Sequence, residues 1–358
     1  LNYPPDLLEE WLIGCKGATI ELDHSGAPAP FGDGFDPCIL GEGSLNEFDL
    51  EDELTEAISK QYGVKESRIA LTFGAQNSNY LFIHACVEGG KKVAIEMPTY
   101  TPIFAVAGAL HGKPMVFRRT RAHDFTIPID NVKKLMGRGA GAIAITNIHN
   151  PSAKQLSDDE LRELLEVAAK KDLMVLCDET FREMSYVKPS SAVCRIADNG
   201  ISTCGTSKLW GLGGLRVGWL IGPEEVAEKV IAAREYSSGH PAVRSMSVAI
   251  RAISKKKWFR DRALRIAREN IPVLKDWLLE EKRLRVKFPD GALMFLAQLP
   301  KGVDDVEFAT RLFKGYNTAV CPGTYFGAKG SIRVTFSCAR GDFEVGLRQI
   351  SSILDMML

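Results

Sequence analysis

Gly205-Thr206-Ser207-Lys208-Leu209-Trp210-Gly211-Leu212-Gly213-Gly214-Leu215-Arg216-Val217-Gly218-Trp219 is the stretch on which the reading of the chain turns. Its dense glycines suggest a dinucleotide-binding loop. The spacing is not GxGxxG, however, and the stretch leads into a strand rather than opening a helix after one. What remains is a lysine in small, apolar surroundings with an arginine eight residues on. Desolvation lowers a lysine's pKa and favours a neutral amine able to form a Schiff base.

Around this stretch, short apolar runs alternate with helical periodicity. Arg68–Phe73, Val93–Glu96, Ala140–Thr146, Leu173–Cys177 and Arg216–Ile221 read as buried strands, of the kind found in a parallel sheet covered on both faces. Between them, Ser157 with Glu160 three residues later forms a capping-box pattern. Leu161, Leu164, Leu165 and Ala168 follow as one helical stripe, and Pro223-Glu224-Glu225 opens another helix. The middle of the chain is therefore α/β. From Ala242 the pattern changes to a long charged helical stretch through Leu278, with Lys255-Lys256-Lys257 as a solvated face. Short strands at 285–288, 293–298, 319–320 and 331–336 and a helix from Asp342 predict a smaller α+β part. The expected division is a large domain at 45–240 and a small one built from 1–44 and 241–358.

The 358 residues carry 45 Lys+Arg against 45 Asp+Glu. That balance lacks the clustered positive charge a nucleic-acid or anionic-membrane surface needs. No apolar run approaches a membrane span, and Leu1–Pro5 lacks the features of a signal peptide, so a soluble, cytoplasmic protein is expected. The eight cysteines and six histidines are scattered without zinc spacing, which predicts reduced thiols and no metal site.

Four further segments bear on chemistry. Thr72-Phe73-Gly74-Ala75-Gln76-Asn77 runs from strand through glycine into a helix, whose N-terminus offers N–H groups to a phosphate. Glu96-Met97-Pro98-Thr99-Tyr100 leaves an aromatic at the carboxyl edge of the sheet, where open α/β sheets bind ligands. Asn147-Ile148-His149-Asn150-Pro151-Ser152-Ala153 presents an amide before a proline. Asp178 ends the apolar run Leu173–Cys177, where a carboxylate needs a partner.

Glycine turn, aromatic, Asn-Pro, Asp, then Ser-Lys with Arg following resembles the class I/II aminotransferases, pyridoxal 5'-phosphate enzymes of fold type I. Val320-Cys321-Pro322-Gly323-Thr324-Tyr325-Phe326-Gly327 and Ile332-Arg333-Val334 extend the match, which runs from about Ser25 to Phe336. The resemblance implies a large domain with a mostly parallel mixed sheet covered by helices, plus a smaller α+β domain. It makes Lys208 the Schiff-base lysine and proton shuttle, Asp178 the partner of the pyridinium nitrogen, Asn150 a donor to the ring oxygen and Tyr100 the stacking aromatic. Phosphate falls to the backbone at Ala75 and Gln76, to Ser207 and to Arg216. Arg333 clamps the substrate α-carboxylate, Gly26 lies against the substrate, and Arg244 reaches an acidic side chain across a homodimer.

Several positions depart from the family's pattern. Phe181 stands where a tyrosine is usual three residues after the aspartate, which should raise the Schiff base pKa unless another hydroxyl substitutes. Gly205 replaces a phosphate-binding serine, and Ser152-Ala153 replaces Thr-Gly. A cross-subunit tyrosine has no counterpart in Gly41–Leu50. The implied reaction is amino transfer between an L-amino acid, aspartate or another acidic or aromatic one, and a 2-oxo acid. The alternatives are a C–S β-lyase, a histidinol-phosphate or phosphothreonine-type member, and a non-catalytic relative. The last of these is disfavoured by the joint presence of Lys208, Asp178 and Arg333.

Overall fold

The computed structural model describes residues 6–28, 30, 34 and 46–358. Seven strands form the main sheet: β1 Ile69–Thr72, β2 Lys92–Met97, β3 Met115–Arg118, β4 Ala140–Thr146, β5 Met174–Asp178, β6 Gly200–Gly205 and β7 Gly218–Ile221. Their spatial order is β1-β7-β6-β5-β4-β2-β3. β7 is antiparallel to both neighbours and the remaining pairs are parallel. The run Arg216–Ile221 therefore enters the sheet against the direction of the others. Its first residues are not strand, because Arg216 adopts a left-handed backbone at φ 52°. β3 and β6 escape the apolar-run reading: the first is four residues long, and the second carries Ser202 and Thr203 in its middle.

Helices cover both faces. Along the whole chain, the described helices of eight or more residues are α1 Leu7–Gly14, α2 Glu47–Tyr62, α3 Ala75–Cys86, α4 Thr101–His111, α5 Ile129–Gly137, α6 Asp158–Ala169, α7 Glu224–Ser237, α8 Val243–Ser254, α9 Lys256–Glu280, α10 Asp305–Tyr316 and α11 Arg340–Met357, and α1, α10 and α11 pack in the C-terminal part. Successive β4 residues divide between the two faces, as a period of two requires. Ala142 and Ala144 pack with Phe82 of α3, Ile103 of α4 and Val226 of α7. Ile143 and Ile145 pack with Val132 of α5 and Leu161, Leu164 and Leu165 of α6. The stripe expected on α6 is thus its buried face, and Ser157 and Glu160 make both bonds of the capping box. The helical stretch from Ala242 is two helices meeting at Lys255. Lys255 and Lys257 are exposed, as a solvated face requires.

The C-terminal part holds a four-stranded antiparallel sheet of β8 Arg285–Val286, β9 Met294–Gln298, β10 Cys321–Pro322 and β11 Ser331–Thr335, in the order β10-β11-β9-β8. Ile20–Glu21 pairs in parallel with Thr318–Ala319, so the N-terminal segment is bonded to this part. α8 packs on α2, beside the main sheet. Seven cysteines are unpaired; Cys38, Leu1–Pro5 and residues 41–45 lie outside the described residues. Among the described residues there is no metal-binding cluster, and no helix is long and apolar enough to cross a membrane.

Candidate active site

Parallel strands deliver their carboxyl ends to one edge, and the loops leaving that edge surround a cavity of about 460 Å³. β1 ends at Thr72 and turns through Gly74 at φ 95° into α3. β4 ends at Thr146, beside Asn150; β5 ends at Asp178; β6 leads into Ser207 and Lys208. Ala75, Gln76, Tyr100, Asn150, Asp178, Ser207, Lys208, Arg216 and Arg333 all line this cavity. Residues spread over more than 250 positions of sequence are brought together there.

Lys208 is half-buried, and its Nζ donates to Ser25 Oγ at 3.1 Å. Burial, then the charge of Arg333, lowers its amine to about 8, against the opposing pull of Asp178. Asp178 accepts from Asn79 Nδ2 at 2.8 Å and from the Thr180 amide at 3.1 Å and hydroxyl. Thr203 of β6 donates to Asn79 Oδ1 at 2.7 Å, which fixes the amide's orientation. This network satisfies the buried carboxylate without a countercharge and leaves it facing the cavity. Tyr100 precedes α4 directly, and its hydroxyl donates to Gln76 Oε1 at 3.2 Å. Burial pushes that phenol up.

The corner where β1 turns into α3 beside β6 and β7 is built from close backbone approach. A Cβ on Gly218 would lie 2.5 Å from Gly74 Cα, and one on Gly205 would lie 2.9 Å from Val217 O and 3.1 Å from Ala75 N. Gly205 is thus accounted for: a side chain there would push β7 and the start of α3 apart. Arg216 donates to Phe73 O at 3.0 Å and Gly213 O at 3.3 Å, and pairs with no carboxylate among the described residues. An unpaired guanidinium beside the free N–H groups of a helix N-terminus suits a phosphate dianion.

Arg333 reaches the same cavity from β11 and is only 3% exposed. Its Nη1 donates to Asn150 Oδ1 at 3.1 Å, and its Nη2 to Asp23 O at 2.9 Å and Cys321 Sγ at 3.3 Å. Nε is buried without a partner, and no carboxylate among the described residues pairs with this charge. A buried cation left in this way is costly unless an anion completes it. Gly26 lies beside the site: a Cβ there would be 3.2 Å from Ser207 O and 3.7 Å from Lys208 Cδ. Arg244 is the exception. It is exposed on the first turn of α8, outside the cavity of its own chain.

Sequence reasoning passed over several lining residues. Asp6, Leu8, Glu9 and Leu12 place α1 over the cavity, held by Leu8 packing against Cys321 and Phe326 and by Trp11 Nε1 donating to Val320 O at 2.8 Å. The paired apolar residues of Leu7-Leu8-Glu9-Glu10-Trp11-Leu12 were the available signal. Asp23 and His24 also line the site. Burial raises Asp23 to about 6 and lowers His24 to about 4, the latter helped by Lys208 and Arg333.

The family model "Aminotransferase class I and II" matches residues 43–350. Aromatic-amino-acid aminotransferase 2 of Thermococcus litoralis is 25% identical over 325 residues, covering 87% of this chain and 83% of that protein. Aspartate aminotransferase of Pyrococcus abyssi is 24% identical over 320 residues, covering 86% and 82%. Among solved structures, a PLP-dependent aminotransferase from Streptococcus suis superposes with a TM-score of 0.90 at 22% identity, covering 99% of each chain. Aspartate aminotransferase from Thermus thermophilus with maleate gives 0.83 at 19% identity, covering 98% of this chain and 97% of that one. At these identities the structural likenesses establish the fold.

Proposed function

The chain belongs to the class I and II aminotransferase family, and from that premise we propose that it moves an amino group between an L-amino acid, acidic or aromatic, and a 2-oxo acid. The observation that carries this reading is the pairing, in one cavity, of a lysine whose amine is shifted to about 8 with a buried arginine that has no carboxylate partner among the described residues. The first suits a nucleophile and proton carrier, the second an α-carboxylate.

Pyridoxal 5'-phosphate supplies, when bound, an aldehyde that takes an amine and a pyridinium ring that accepts the electrons of the substrate α-carbon. The residues present fit it. The N–H groups of Ala75 and Gln76, with Ser207 and Arg216, would hold its phosphate, and Tyr100 would stack on its ring. Asn150 would meet the ring oxygen, and Asp178, aimed by Asn79 and Thr180, would keep a proton on the ring nitrogen. Arg333 would bind the α-carboxylate in a bidentate pair, fixing the α-carbon beside Lys208. Lys208 Nζ would then take the α-proton and return it after the electrons have moved.

Leu8, Leu12, Tyr100 and Phe181 give the cavity apolar walls, which suit an aromatic side chain. An acidic side chain would need a second cation, and Arg244 supplies it only from a second subunit. A cytoplasmic homodimer, with a large domain at 45–240 and a small one from 1–44 and 241–358, belongs to the same proposal; light scattering at twice the chain's mass tests the dimer.

Single amino acids added to the cofactor-loaded protein without an acceptor test the reaction. One equivalent of 2-oxo acid per site, with the visible band replaced by that of the amine form of the cofactor, is expected. Continuous release of pyruvate and ammonia would overturn amino transfer in favour of elimination.

A further inference from the structure

Among the described residues, one side chain bonds the tip of Lys208: Ser25 Oγ, at 3.1 Å from Nζ. The Phe181 ring lies 5.8 Å from the same nitrogen and offers no hydroxyl. Ser25 lines the cavity and is 5% exposed. Its place is set on both sides by backbone. Leu22 N donates to Ala319 O at 2.9 Å and Thr335 N to Leu22 O at 2.8 Å. Arg333 Nη2 donates to Asp23 O at 2.9 Å. Beyond Ser25, Ala27 N donates to the carbonyl of Lys208 itself at 2.9 Å. The segment is thus bonded to the main chain of the lysine whose amine Ser25 touches, and to the arginine proposed to hold the substrate.

A hydroxyl has one hydrogen and two lone pairs. It accepts from an ammonium and, after rotation, donates to a neutral amine. We propose that Ser25 is a positioning residue for Lys208, holding Nζ at one point of the cavity in both protonation states so that the amine takes and returns a proton from the same place. The inference rests on the role proposed above for Lys208.

The test uses the full-length chain. In cofactor-free protein, competitive acetylation across pH, read on the Lys208 peptide by mass spectrometry, gives the midpoint of its ionisation. Ser25→Ala should lower that midpoint by about half a unit to one unit, because bonds to charged partners are the stronger ones. In cofactor-loaded protein, washout of deuterium from the substrate α-carbon should fall about ten- to a hundred-fold with KM unchanged. Ser25→Thr, which keeps the hydroxyl, should restore both. An unchanged midpoint in Ser25→Ala, or a shifted midpoint with unchanged washout, overturns the proposal, as does Ser25→Thr behaving like Ser25→Ala. If wild-type protein takes up no cofactor, it is the reading of Lys208 that fails. The acetylation midpoints, read without cofactor, distinguish that failure from this one.

Discussion

Replacing Arg119 by Met should unsettle the site from beneath while leaving the identity of every lining residue unchanged; Arg119 reaches the cavity wall through Thr146 O, at 3.4 Å from Nη1. Glu96 and Arg119 have no exposed side-chain surface, and Nη1 lies 2.7 Å from Oε2. The other carboxylate oxygen accepts from Thr146 N at 2.6 Å and Thr146 Oγ1 at 2.7 Å. Thr146 Oγ1 in turn accepts from Asn150 N at 3.1 Å. Removing the guanidinium leaves a buried carboxylate without a countercharge, at a cost of about 3–5 kcal/mol. An unfolding entropy of roughly 2.1 cal/mol/K per residue, taken over 358 residues, makes that a fall of about 4–7 °C in melting temperature. Burial already pushes the Glu96 carboxyl up, with Arg119 opposing. The orphaned group therefore takes up a proton in acid, and the loss should be smaller at pH 5 than at pH 8. The double variant Glu96→Gln/Arg119→Met removes both charges and keeps an acceptor for Thr146. It should regain about 2 kcal/mol. Calorimetry on cofactor-free protein reads these shifts, and cofactor affinity, expected about tenfold weaker in Arg119→Met alone, reads the displacement of Asn150. A loss below about 1 kcal/mol, or a double variant that merely adds the two single losses, would refute the reasoning.

Three further outcomes follow from the same geometry. Arg333→Ala should lower kcat/KM by about 10²–10³-fold, with a smaller loss of cofactor affinity through Asn150, which Arg333 bonds at 3.1 Å, and Arg333→Lys should restore little of the kcat/KM, because the bidentate fork is lost; steady-state kinetics with cofactor titration checks both. Lys208 has a folded midpoint of about 8, below the ordinary 10.5. The unfolded chain therefore binds more protons between those values, and this group's contribution to stability rises with pH across that window and is lost as pH falls through it. Lys208→Met should accordingly stabilise the cofactor-free protein at pH 7 by about 1–3 kcal/mol, with the difference shrinking toward pH 10.5 in parallel denaturation curves. Gly218→Ala places a methyl 2.5 Å from Gly74 Cα and 2.8 Å from Ala75 N. It should cost about 1–3 kcal/mol of stability and weaken cofactor binding more than tenfold, read by denaturation and absorbance titration.

Much of this architecture is legible in the sequence because buried parallel strands leave continuous apolar runs. Ala140–Thr146 is found at the bounds its composition predicts, and α6 carries its own start signal in Ser157 and Glu160. β6 leaves no such run: Ser202 and Thr203 are polar, yet buried and bonded to Cys194 N and Asn79. The long helical stretch expected after Ala242 divides at Lys255, where no glycine or proline marks the break. In the site, the residues proposed to meet a ligand sit in short motifs, and the structure brings nine of them to one cavity. The residues that aim them are not legible in this way. Asn79 lies inside a helix, Thr203 inside a strand, Arg119 just past one and Ser25 in an irregular segment. Each acquires its partner through tertiary contact, across separations such as the 183 positions between Ser25 and Lys208.

Borohydride reduction of the cofactor-loaded protein, followed by peptide mapping, tests the central assignment most directly. A single stable adduct on the peptide containing Lys208 is expected, with no adduct in Lys208→Ala and loss of the visible absorption band in that variant. An adduct on another lysine, or an undiminished band in Lys208→Ala, would contradict it.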